Sequence, residues 1–170
     1  MERRVGLIPR VMMSGALGPK EYGVLVTDQR TIFVLERRSS AVVGGAIGGA
    51  IGAIIADALT SQERTFDYEN EDLERLVSDE NNVAVPHAQV RRIRLKKGFS
   101  GCSLLMEYGD PAGKRRKIKA MLIPPLELVQ RRKKEGVKGK MVVADYARGA
   151  QKVFERALPA SVAQNGEWEI

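Results

Sequence analysis

The 170-residue chain has one cysteine, Cys102, and one histidine, His87. A single cysteine excludes a disulfide framework, and one Cys with one His cannot assemble a Cys/His zinc cluster within one chain. Aromatic residues make up only 5%, so any core must rest on Val, Ile, Leu, Met and Ala. Proline is sparse, at seven residues, and glycine follows no three-residue repeat, which excludes a collagen-like chain. The start, Met1-Glu-Arg-Arg-Val-Gly6, has no apolar signal core or small-residue cleavage site, which sets the expectation of a cytoplasmic protein. What is present is an ordinary globular balance of 44% apolar and 29% charged residues, enough to bury a core in one domain.

Charge is uneven along the chain. The balance is +3 over residues 1–56, −7 over 57–80, +12 over 81–140 and −1 over 141–170, for a net charge of +7. The basic region suits anionic partners such as lipid headgroups or nucleic acid. Equally, the acidic block can fold against it and neutralise it internally. Both readings stand on sequence alone.

Hydrophobic patterning predicts two antiparallel meanders. Val24–Thr27 and Thr31–Leu35 flank the turn-like Asp28-Gln29-Arg30, a hairpin signature, and a preceding strand is predicted near Arg10–Gly15. After the acidic block, His87–Lys97 alternates with Ile93 and Leu95 on one side and Arg92, Arg94 and Lys96 on the other. Cys102, Leu104, Met106 and Tyr108 share one face of the next strand. In the one after it Ile118, Ala120 and Leu122 face in, with Lys117, Lys119 and Met121 facing out. Asn70–Ser78 and Leu126–Lys134 read as short helices. Val143 to Leu158 carries apolar residues at helical spacing up to Pro159, and residues 159–170 read as a flexible tail.

The run Ala41–Ala56 is the least ordinary stretch: five Gly, five Ala, four Ile and two Val, with no polar side chain. As a helix it would set a ridge of Val43, Ile47, Ile51 and Ile55 beside smooth rows of Gly44, Gly48 and Gly52, and of Gly45 and Gly49. Five glycines cost such a helix about 5 kcal/mol relative to alanine, so only packing would hold it. It contains no Gly-x-Gly-x-x-Gly or Gly-x-x-x-x-Gly-Lys spacing, which excludes those nucleotide loops. At ~1.5 Å per residue it reaches about 24 Å, short of a ~30 Å hydrocarbon core. A single crossing would also put the two meanders on opposite sides of a bilayer. A floppy loop, a packed helix in an assembly and a membrane-associated helix are the open readings. The contact residues expected for self-association or membrane contact are Gly44, Gly45, Ile47, Gly48, Gly49, Ile51, Gly52 and Ile55.

Two segments resemble the pleckstrin-homology-like superfold in its bacterial and archaeal PH-like or GRAM-like versions. Gly23-Val-Leu-Val-Thr-Asp-Gln-Arg-Thr-Ile-Phe-Val34 is similar to its strand, Thr-x-x-Arg, strand hairpin. Val85-Pro-His-Ala-Gln-Val-Arg-Arg-Ile-Arg-Leu95 is similar to its Pro, aromatic, polar, apolar lead into a basic strand. The resemblance spans about residues 7–158. It departs from the pattern in the Gly/Ala insertion and in a more elaborate C-terminal region. It implies an α+β fold: a PH-like antiparallel β-barrel or sandwich of about six to seven strands with a C-terminal helical cap. Residues 1–158 would form this domain, with the inserted helix 41–59 and acidic segment 57–80. It also implies a scaffold for binding lipid, peptide or protein.

The functional expectation is a non-catalytic binding and assembly module. It would form homo-oligomers or dock at the inner membrane face or on a protein partner through 41–59. Arg92, Arg94, Lys96, Lys117 and Lys119 would meet anionic groups. The alternative is nonspecific nucleic-acid binding on the same strands, disfavoured because their outer face has no aromatic platform. Cys102 alternates with core residues and His87 follows Pro86 at the start of a strand, so neither is expected to be catalytic. No cofactor, metal or small-molecule substrate is indicated.

Overall fold

A computed structural model describes residues 2–15, 18–38 and 64–170. The expectations for residues 41–59, and for 57–63 of the acidic block, lie outside the described residues.

Three strands open the chain: β1 (Arg4–Gly15), β2 (Gly18–Thr27) and β3 (Arg30–Arg38). The short helix α1 (Leu73–Ser78) follows, then β4 (Val83–Pro86), a 3-10 turn at His87–Gln89, and β5 (Val90–Lys97). Strands β6 (Cys102–Gly109) and β7 (Arg115–Leu122) complete the second meander. Helices α2 (Leu126–Lys134), α3 (Gly139–Ala157) and α4 (Ala160–Gln164) precede a last strand, β8 (Glu167–Glu169). Among the described residues the architecture is α+β, with eight strands in one open sheet ordered β4-β3-β2-β1-β7-β6-β5-β8. All neighbours are antiparallel except β5 and β8.

β1 joins the two meanders because it bends. Pro9 lacks an amide hydrogen and Arg10 has φ +57°, and the register with β2 slips between Ile8 and Val11. This is a bulge, the usual place for a proline within a sheet. Beyond it Val11 and Met12 pair with Leu122 and Met121 of β7. The sequence reading began this strand near Arg10, because Pro9 looks like a stop signal; the bulge lets the strand continue back to Arg4.

One core unites both meanders. Val11, Val24 and Phe33 from the first half share a buried cluster with Ile93, Leu104, Met106 and Leu122 from the second. Helix α3 closes it, inserting Ala147, Ala150, Phe154 and Ala157 from one amphipathic face. A smaller cluster lies on the other face of β2 and β3. There Leu25, Ile32 and Val34 meet Leu76 of α1, with Phe66, Tyr68 and Leu73 packed around them. Asp72 caps α1, its side chain accepting from the Glu74 amide at 3.1 Å.

Residues 159–170 correct the expectation of a flexible tail. They form α4 and β8, and β8 pairs in parallel with β5 through Arg94–Glu167, Leu95–Trp168 and Lys96–Glu169. Trp168 and Ile170 pack on the main core, and Trp168 folds back over Gly166, where a Cβ would sit 2.4 Å from the indole. Three residues are too few to show period-two alternation. The strand is therefore invisible to patterning and is made by tertiary contact. It also takes the strand count past the six to seven expected.

Candidate anion-binding surfaces

The structure brings the five strand cations together on one outer face. The alternation holds because Val90, Ile93 and Leu95 are buried while Arg92, Arg94 and Lys96 point away. A register shift between Val90 and Arg92 moves the inward positions from even to odd numbers. Across the sheet, Arg92 stands opposite Glu107, and Glu107 opposite Lys117. Arg94 stands opposite Leu105, and Leu105 opposite Lys119.

Four of these five cations already have carboxylate partners. Arg92 reaches Glu167 at 2.5 Å, Arg94 reaches the same carboxylate at 4.0 Å, and Lys96 reaches Glu169 at 3.0 Å. Glu107 lies between Lys117, at 3.2 Å, and Arg115, which donates to it as well. The Arg115 hydrogen bond, with Lys117 adding to it, holds the Glu107 carboxyl below the usual carboxylate range. Arg116 pairs with Asp110 at 3.0 Å. Among the described residues only Lys119 of the five has no carboxylate within ion-pair distance.

Among the described residues the neutralising carboxylates do not come from the acidic block. Residues 64–80 lie on β2 and β3, where Glu74 pairs with Arg30 and Asp79 with Arg64, each at 2.5 Å. The Arg64 hydrogen bond and the Asn81 amide hold Asp79 down at about 2. Arg30 also grips Glu2, fastening the N-terminus to the hairpin turn at 2.5 Å. Compensation of the strand face falls instead to Glu107 within the sheet and to the C-terminal strand.

Unpaired positive charge is concentrated at a different place, the corner between α2 and α3. Arg131, Lys133, Lys134, Lys138 and Lys140 are exposed there, with no ion pair among the described residues; Arg132 is held by Glu135 at 2.9 Å and Asp145 at 3.4 Å. Helix α2 has no buried residue. Leu126 and Met141, at the two flanks of this corner, are 41% and 53% exposed. Helix α2 packs on α3, and α3 lies against the inner side of the sheet, so this cluster does not join the strand face. Its sequence signal is the run Arg131-Arg-Lys-Lys134, of which only Arg132 has an ion pair among the described residues, a difference only the fold reveals.

The two chemically versatile side chains are buried. Cys102 is wholly enclosed, and burial pushes its thiol up to about 11, which leaves no thiolate near neutral pH. His87 is 3% exposed. Among the described residues no group of three or more His, Cys, Asp or Glu side chains is placed to hold a metal ion, and no helix is long and apolar enough to cross a membrane.

No family model matches the chain, and no curated protein or solved structure is similar enough to lend it an identity.

Proposed function

We propose that the chain is a non-catalytic binding module of the PH-like kind that docks at an anionic membrane surface, with residues 41–59 providing self-association or additional membrane contact. The order of its elements supports the PH-like part of this reading. A three-stranded meander, a second meander and a long amphipathic helix against the inner face follow one another in the order the resemblance implies, with the insertion between the meanders as the departure from it.

The observation that carries the docking surface is the α2–α3 corner. Five cations with no ion pair among the described residues lie within ten residues, between two exposed apolar side chains, Leu126 and Met141. Each basic residue near an anionic bilayer contributes about 1 kcal/mol, and a flanking Leu or Met adds apolar insertion. The strand face is the weaker candidate, because four of its cations are spent on Glu107, Glu167 and Glu169.

Flotation with phosphatidylserine-containing vesicles tests this. Binding should exceed that to phosphatidylcholine vesicles at low salt and weaken as salt rises. Replacing Lys133, Lys134 and Lys138 with Glu should reduce it at least tenfold. Equal binding to both vesicle types would overturn the reading. Stronger retention of random duplex DNA than of anionic vesicles at the same salt would favour the nucleic-acid alternative. Light scattering on the intact chain and on a 41–59 deletion reports the assembly role; a monomer in both would remove it.

A further inference from the structure

Phe99 is the most exposed large apolar side chain among the described residues, at 95%. It sits at the tip of the β5–β6 hairpin. There Lys97 pairs with Cys102, and the Gly98 amide donates to the Gly101 carbonyl at 2.8 Å. Beyond that bond lie Phe99 and Ser100 alone. Gly101 fixes the seat of the tip, since a Cβ there would lie 2.7 Å from the Leu122 carbonyl oxygen and 3.0 Å from Sδ of Met121. The close approach requires glycine and ties the tip to the end of β7. A tip this short and this firmly seated holds the Phe99 ring out, away from the core.

Phe99 has company at this end of the sheet. Cys102 stands opposite Leu122, so the hairpin tip and the last residues of β7 lie at the same end. Met121 points outward there and is exposed, and Leu126, four residues past Leu122, is exposed at the start of α2. One apolar side chain on a surface is ordinary. Three at one end, with a phenyl ring almost wholly in water, mark a contact surface.

The charges around it indicate what it contacts. Lys96 and Lys97 precede the tip, and Lys119 lies behind Met121 on the same outer face. Lys97 and Lys119 have no ion pair among the described residues. Two acids stand near: Glu169, on Lys96 at 3.0 Å, and Glu127, in the first turn of α2. Residues 81–106 contain no Asp or Glu at all. From Leu126, α2 leads directly to the unpaired cations of the α2–α3 corner, so this end is positive on balance. Protein interfaces are depleted in lysine. An anionic bilayer attracts it, and takes up Phe and Leu side chains at the headgroup boundary.

We propose that Phe99 is the inserting side chain of the docking surface. It enters the interfacial layer of an anionic bilayer with Met121 and Leu126 beside it, while the lysines stay at headgroup level. This rests on the membrane reading above and adds an orientation to it. The β5–β6 tip and the start of α2 face the lipid, and the β6–β7 turn, at the other end of β6, does not.

An environment-sensitive maleimide dye tests this on the full chain, because Cys102 is wholly enclosed and an introduced cysteine is the accessible one. On Phe99→Cys the dye should shift to the blue with phosphatidylserine-containing vesicles, and lipids brominated near the headgroup end of the acyl chain should quench it. On Ala112→Cys, in the β6–β7 turn, it should do neither. Phe99→Ala should weaken partition into these vesicles about tenfold, and Phe99→Trp should restore it. The thermal midpoint should not move in either variant, and the salt dependence should persist, since no charge is lost. The proposal is overturned, with the docking reading intact, if the chain floats with anionic vesicles while Phe99→Ala binds equally well or the dye at 99 does not shift. Absence of vesicle binding by the unmodified chain would remove both together. Self-association without lipid that Phe99→Ala abolishes would assign the tip to a second copy and overturn it as well.

Discussion

The Thr31 hydroxyl lies 3.0 Å from Nε2 of His87, both side chains buried at the junction of the two meanders. His87 opens the turn that carries the chain from β4 to β5, and its amide donates to the Gln29 carbonyl at 2.8 Å. Among the described residues no group meets Nδ1 in hydrogen-bond geometry. Burial, which disfavours the imidazolium, outweighs the attraction of the Ala157 and Asp28 carbonyls and of Glu2, and the pKa falls below its ordinary 6.5.

The pH dependence follows from that direction. Below pH 6.5 the unfolded chain takes up a proton that folded His87 refuses, so its contribution is intact above 6.5 and is lost as pH falls toward the folded value. The slope contributed is at most about 1.4 kcal/mol per pH unit, the value of one proton. Urea unfolding at pH 7.5 and 5.5 should show the loss, and His87→Gln should remove it. The chain has one imidazole, so NMR reads it directly, and a midpoint at or above 6.5 would contradict this account.

Gly23 is held against Tyr68. A Cβ at Gly23 would lie 2.3 Å from the Tyr68 hydroxyl and 2.5 Å from a Glu36 carboxylate oxygen, and those two groups are hydrogen-bonded to each other at 2.5 Å. Gly23→Ala should cost about 1–3 kcal/mol, the usual range for overpacking. In a Tyr68→Phe background the nearest atom is gone and the cost should shrink. An equal cost in both backgrounds, measured by denaturant unfolding, would show that Tyr68 is not the obstacle.

Deleting residues 166–170 removes β8 and with it Trp168 from the core and two carboxylates from the strand face. Loss of about 2–3 kcal/mol is expected, below the 3–5 kcal/mol of a fully buried aromatic because Trp168 is only half-buried. Arg92, Arg94 and Lys96 lose their partners, and elution from phosphocellulose should move to higher salt. The double substitution Glu167→Gln and Glu169→Gln should reproduce the elution shift with little loss of stability, since exposed pairs contribute 0–1 kcal/mol.

Leu76 is the buried residue that fastens α1 to the outer side of β2 and β3, at 2% exposure. Leu76→Ala should cost about 2–4 kcal/mol. Because this cluster is distinct from the one α3 closes, hydrogen exchange should quicken first at β3 and α1, and α3 should stay protected. Uniform loss of protection would mean that the two faces unfold as one unit.

The strands and the long helix were legible because a half-buried element leaves its period in the sequence. Ile93 and Leu95 against Arg94 and Lys96, and Ala147, Ala150, Phe154 and Ala157 along α3, sort into faces without any knowledge of the partner. The five strand cations likewise share the face assigned to them. Their neutralisation was not legible, since Glu167 lies 75 residues from Arg92 in sequence and β8 is too short to carry a pattern. Periodicity in the chain determines which side of an element is apolar. Which elements meet and which charges cancel are decided only by the fold. Those relations join residues distant in sequence, and local patterning holds no information about distance in space.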